Sequence, residues 1–111
     1  MQGIFIHGSR PKSKKQVREM LERINVAEEH GGDPAAITAL AIQSGHSSAD
    51  YDPYGLVIEA TSLFGDEFQG SIALADRQDR KGPFNFVGPD PYNRRKFYGT
   101  ITKKDGKWIC K

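Results

Sequence analysis

Runs of apolar and polar positions divide this chain into short elements. "IFIH" at 4–7 is an apolar run closed by Gly8 and Ser9, and it predicts a buried strand. Pro11 favours extended backbone at Arg10. Val17, Met20, Leu21 and Ile24 then recur at i, i+3, i+4 and i+7, which predicts a helix at about 13–30 with one stripe facing a core. Ser13 is its expected N-cap, with Gln16 reaching back as a capping box. "HGGDP" ends it. Asp33 caps a second helix with Pro34 in its first turn. Ile37, Leu40 and Ala41 form its buried side, and Gly45 stops it.

The second half reads as strands and turns. "HSSADYDPYG" (46–55) predicts a loop and "LVIEATSLF" (56–64) a strand interior to a sheet. "GDE" turns the chain into "FQGSIALA" (68–75), a strand with Phe68, Ile72 and Leu74 on one face. "DRQDRKG" (76–82) is a polar loop, "PFNFV" (83–87) a strand and "GPDPYN" (88–93) a loop. The chain closes in a hairpin, "RRKFYGTITK" and "KWICK" turned at Asp105–Gly106. A two-residue turn pairs Trp108 with Lys103 and sends Trp108 to the core face with Ile101 and Cys110. A three-residue turn would move it outside beside Tyr98. The first register is the expectation. The order is β-α-α-β-β-β-β-β, an α+β fold in one domain, 1–111, with two helices packed on one face of a mostly antiparallel sheet.

Composition narrows the class. The 111 residues are 37% apolar and 27% charged, ordinary for a globular chain. No apolar run approaches the ~20 residues of a membrane helix. The first residues lack signal-peptide order. Cys110 stands alone, so no internal disulfide and no cysteine zinc site is expected, and the cytoplasm is the expected location. Cys110 reads as core filler with no basic neighbour beyond Lys111. His7, His30 and His46 lack metal-ligand spacing, so no metal is expected, and His7 reads as a hydrogen-bonded structural histidine. No phosphate-loop or dinucleotide fingerprint is present, and no cofactor is expected. Carboxylates such as Glu59, Asp66 and Glu67 have no partner legible in the sequence.

The charge pattern adds the candidate chemistry. Residues 1–23 carry six cations and two acids, 24–76 nine acids and no Lys or Arg, and 77–111 ten cations and three acids. These blocks sum to +4, −9 and +7. Ser9, Arg10, Lys12, Lys14, Lys15 and Arg18 surround the start of the first helix. Lys14 and Lys15 in its first turn, and Glu28 and Glu29 near its end, oppose the macrodipole, and a bound anion would reverse that cost. In the last hairpin, strict alternation puts Arg94, Lys96, Tyr98, Thr100 and Thr102 on one face and Phe97 and Ile101 on the other. With Tyr92, Asn93 and Arg95 beside them, they predict a phosphate-tracking face, positioned by the stiff Pro89 and Pro91. The plain alternatives are a tight turn, a charged edge strand that blocks aggregation, and cancellation of the basic ends by the acidic middle.

"FIHGSRPKSKK" and "FVGPDPYNRRKFYGTI" resemble segments of small proteins of bacterial viruses and other mobile elements. That resemblance covers about a quarter of the chain and implies a short protein made in a host cytoplasm, with no residue role to carry over. The element order is also similar to that of bacterial mRNA-cleaving toxins, which cut RNA without metal; there Arg94, Arg95, Lys96, Tyr98 and His7 would supply the chemistry. The expected function is a non-catalytic module binding nucleic acid or a nucleotide signal. The alternatives are a host-protein inhibitor that uses the acidic 24–76 region as a nucleic-acid mimic, and a metal-independent ribonuclease. A host protein and a second copy of the chain are the other expected partners; a membrane is not.

Overall fold

The computed structural model describes residues 1–61 and 67–111. Its elements are β1 (Gly3–Ile6), α1 (Lys14–Glu29), α2 (Pro34–Ser44), β2 (Leu56–Glu59), β3 (Gly70–Ser71), α3 (Ile72–Arg77), β4 (Phe84–Asp90), β5 (Arg94–Lys104) and β6 (Lys107–Cys110). Short 3-10 turns at Ser48–Tyr51 and Pro53–Gly55 occupy the expected 46–55 loop. The class is α+β, as expected. No described helix is long and apolar enough to cross a membrane.

Both long helices start and stop where local chemistry dictates. Ser13 Oγ accepts from the Gln16 N–H at 3.3 Å. The Gln16 side chain reaches back one residue further than a capping box requires, accepting from the Lys12 N–H at 2.8 Å. Asp33 caps α2 through the Ala35 N–H, and Gly45 ends it in the left-handed region at φ 72°. Val17, Met20, Leu21 and Ile24 are all buried. The two helices do not lie together on a sheet. α1 packs on β6, whereas α2 rests on α1 and the Ser48–Tyr51 turn, sharing a small separate cluster of Ala27, Ile37, Ala41 and Tyr51. α2 buries only Ile37 and Ala41, too narrow a stripe to cover a sheet.

The strands form two antiparallel three-stranded sheets, β1-β2-β3 and β4-β5-β6, rather than one. Gln2 joins them. Its N–H donates to Asn85 O at 2.8 Å and its carbonyl accepts from the Val87 N–H at 2.9 Å. Its buried side-chain amide donates to the Phe68 carbonyl. One apolar core spans both sheets and α1, from Ile4 and Ile58 to Phe84, Ile101 and Trp108.

Three expectations are corrected. The strand at 68–75 is only Gly70–Ser71, followed by α3. Ile72 and Leu74 fit a strand face, but Ile72 and Ala75 fit a helix equally well. Ser71 decides by accepting from the Leu74 N–H at 3.1 Å as an N-cap. The strand at 56–64 ends at Glu59, and residues 62–66, including most of the "GDE" turn, lie outside the described residues. The loop at 88–93 is a tight turn at 91–93, because residues 88–90 belong to β4. Gly88 pairs with Phe97 there, and a Cβ on Gly88 would meet the Phe97 ring at 2.4 Å.

The final hairpin follows its predicted register. Lys104 pairs with Lys107 around Asp105–Gly106, and Lys103 pairs with Trp108, which is 1% exposed. The β4–β5 ladder shifts between Gly88 and Pro89: Gly88 faces Phe97, but Pro89 faces Arg95 and Asp90 faces Arg94. Lys96 is therefore an extra residue in a bulge, next to a proline that has no N–H to give the ladder.

Candidate anion-binding face

The bulge redraws the expected cationic row. Pro89 shares a face with Val87, so their partners Arg95 and Tyr98 share one too. Arg94 is displaced to the other side, and Lys96 projects from the bulge. Arg94, Arg95 and Lys96 are all exposed. Arg95 Nε donates to Pro91 O at 2.8 Å, while Tyr92 and Tyr98 are 62% and 52% exposed. The turn is held by Asp90, whose carboxylate accepts from the Tyr92 N–H at 2.9 Å and from the Asn93 side chain at 3.3 Å. The Tyr92 N–H bond, with lesser help from Asn93 and the Arg10 charge, keeps this carboxyl below its usual range. Asn93 is thus partly committed to the turn.

The amino-terminal group divides into bonded and unpaired cations. Arg10 pairs with Glu59 at 3.0 Å and stacks over Phe5 at 3.9 Å. It is a structural residue, not an open ligand. Lys15 sits 3.9 Å from Glu19. Ser9 closes the turn after β1 by exchanging backbone bonds with Ile6. Lys12, Lys14 and Arg18 have no carboxylate within 4 Å among the described residues; nor do Arg94, Arg95, Lys96, Lys104 and Lys111.

The two basic segments meet the same sheet. A Cβ on Gly3 would meet Arg10 Nη1 at 2.7 Å and the Pro91 ring at 2.9 Å, so the 10–18 segment begins beside the β4–β5 turn. It ends at β6, where Arg18 Nε donates to Cys110 O at 3.3 Å. Lys111 continues that strand, exchanging two 3.0 Å backbone bonds with Thr100. Cys110 accordingly has more basic company than Lys111 alone. Burial still raises its thiol, against the opposing charges of Arg18 and Lys14.

Cancellation by the acidic middle operates at four points. Besides Arg10–Glu59, Arg23 lies 3.8 Å from Asp50, Lys107 3.7 Å from Glu29, and Lys103 3.8 Å from Glu28 with a close bond to Asp76. The last group is a polar cluster that sequence reading missed. Glu28 of α1, Asp76 of α3 and Lys103 of β5 meet under Trp108, whose Nε1 donates to Asp76 at 3.4 Å. They edge a cleft of about 450 Å³. Burial, then the hydrogen bond and charge of Asp76, push Glu28 up to about 7. Burial alone would raise Asp76, but hydrogen bonds from Glu28 and Lys103 and the Lys103 charge hold it below its ordinary value. One sequence signal pointed here: Lys103 pairs with Trp108 on the core face, and a cation there requires a partly buried carboxylate.

His7 is exposed, bonds through its backbone N–H to Gly55 O at 2.7 Å, and lays its ring against Gly55, where an added Cβ would meet it at 2.4 Å. It lies at the far end of β1 from Gly3, about 13 Å by strand rise, and so away from the Pro91 turn. No group of three His, Cys, Asp or Glu able to hold a metal occurs among the described residues. No protein family, curated protein or solved structure matches this chain.

Proposed function

We propose that this chain is a non-catalytic binding module that holds a phosphate-rich ligand, a nucleic acid or nucleotide, on the face made by residues 10–18 and 92–98. It works in the cytoplasm, that of a host cell by its resemblance to viral proteins. One observation carries this reading. Lys12, Lys14, Arg18, Arg95 and Lys96 have no carboxylate within 4 Å among the described residues, while Arg10, Arg23, Lys103 and Lys107 are matched by the acidic middle. Within these two segments internal pairing takes only Arg10 and Lys15 and leaves the other cations open. The inhibitor reading loses ground by the same count, since Glu28, Glu29, Asp50, Glu59 and Asp76 are already engaged within the chain.

The test is titration of a labelled anionic polymer at several salt concentrations. With about four phosphates neutralised, log K against log salt should fall with a slope of about −3 to −4. Replacing Arg95 and Lys96 with alanine should weaken binding and flatten the slope by about 1–2, leaving the fold intact because both side chains are exposed. Absence of binding at about 50 mM salt, where such contacts are strong, would remove the proposal.

A further inference from the structure

One carboxylate stands in the wrong place for an anion site. Asp90 is the only acid between Arg80 and Lys104, and it sits at the base of the turn that carries Tyr92 and leads into Arg95 and Lys96. No Lys or Arg lies within 4 Å of it among the described residues, although Arg94 is its partner across the ladder. A bare negative charge there repels phosphate. At about 8 Å in water, one such repulsion is worth roughly a 2-fold loss of affinity.

The oxygens of Asp90 are used inside the turn instead. Pro91 has no N–H, so the first donor after Asp90 is Tyr92, whose N–H it accepts at 2.9 Å. The Asn93 amide donates to its second oxygen at 3.3 Å. Pro91 is buried against Gly3, and its carbonyl accepts from Arg95 Nε at 2.8 Å. That bond holds the guanidinium by its inner nitrogen. The two terminal nitrogens, the fork that grips phosphate, have no partner among the described residues.

We infer that Asp90 is the positioning residue of the anion-binding face: through the 91–93 turn it sets the Pro91 carbonyl, and through that carbonyl the Arg95 guanidinium. The inference rests on the phosphate-binding proposal above and names the group that prepares the site. Two effects of Asp90 on a bound anion have opposite sign. Its charge opposes binding. Its hydrogen bonds spare the ligand the ordering of the Arg95 side chain, which otherwise costs about 3–10-fold in affinity. Positioning outweighs repulsion, so removing this acid weakens the hold on an anion. The Tyr92 bond is also the main cause that keeps the Asp90 carboxyl below its usual range, so turn and carboxylate stabilise each other.

The experiment is anisotropy titration of the whole chain with a labelled oligothymidylate of about 12 residues at about 50 mM salt. Asp90→Ala is expected to weaken binding by about 2–5-fold, the net of the two effects. Asp90→Asn keeps an oxygen for the Tyr92 N–H and lets the Asn93 amide turn its own oxygen to the new NH2. It should bind about 2-fold tighter than the parent. In a chain that already carries Arg95→Ala, Asp90→Ala should no longer weaken binding, because the group it positions is gone. Unaltered Trp108 fluorescence verifies the fold of each variant. Equal or tighter binding by Asp90→Ala would overturn the inference and leave the phosphate reading standing. Equal weakening by Asp90→Ala and Asp90→Asn would overturn it too, since the charge and not the turn would then matter. Undiminished weakening in the Arg95→Ala chain would overturn the route through Arg95. No binding by the parent chain would overturn both the inference and the phosphate reading.

Discussion

The side-chain amide of Asn25 donates to Trp108 O and accepts from the Trp108 N–H, both at 2.8 Å. Trp108 turns these groups away from β5, so without Asn25 the outer edge of β6 would be bare. Arg18 covers the next outward carbonyl, Cys110 O. A helix here shields a sheet edge with side chains, which also blocks edge-to-edge association. Asn25→Ala should leave two partly buried backbone groups unsatisfied and cost about 1–3 kcal/mol in urea unfolding. A loss under about 0.5 kcal/mol, the range of ordinary surface substitutions, would show that water replaces the amide. None of this was legible beforehand. Asn25 lies beside the apolar stripe of α1 and looks like any polar flank; its partner is 83 positions away.

At the scale of elements, α1, α3 and β5 are clasped by Glu28, Asp76 and Lys103, with Trp108 Nε1 on the same carboxylate and the Lys107–Glu29 pair beside it. The pH dependence follows from two opposite shifts. Glu28 is raised from 4.5 to about 7, so its contribution is complete below pH 4.5 and is lost as pH rises through about 7. Asp76 is lowered from 3.8, so its contribution holds above that value and fails as pH falls through its depressed folded value. Stability should therefore decline from pH 5 to pH 8. Glu28→Gln should flatten that decline and exceed the parent at pH 8, because an amide donates to Asp76 without the second negative charge. Urea midpoints at pH 5, 6, 7 and 8 decide it; parallel curves for the two chains would refute the clasp.

For the whole molecule, the two sheets share one core, and Gln2 joins them through backbone and side chain. One cooperative transition is expected rather than two. Trp108 is the lone tryptophan and stacks near Phe84 at 6.3 Å, so its fluorescence reports the β4-β5-β6 side of that core. Far-ultraviolet circular dichroism reports the helices and both sheets. The two melting curves should coincide. A gap of more than a few degrees would mean that the sheets unfold independently.

Local chemistry alone determined the helices, their caps and the last hairpin. Ser13, Asp33 and Gly45 act on groups within a few residues, and Asp105–Gly106 sets the Trp108 register without outside help. The α+β class followed from those same signals. Where two periodicities overlapped, as at 68–75, eight residues could not choose between strand and helix. Only tertiary structure decided which charges meet. Coulomb partners such as Arg10 and Glu59, or Glu28, Asp76 and Lys103, are far apart along the chain, and charge carries no address until packing supplies one. The face of Arg94 was settled the same way. A single bulged residue beside Pro89 reverses alternation, because a period of two has no memory of an inserted position.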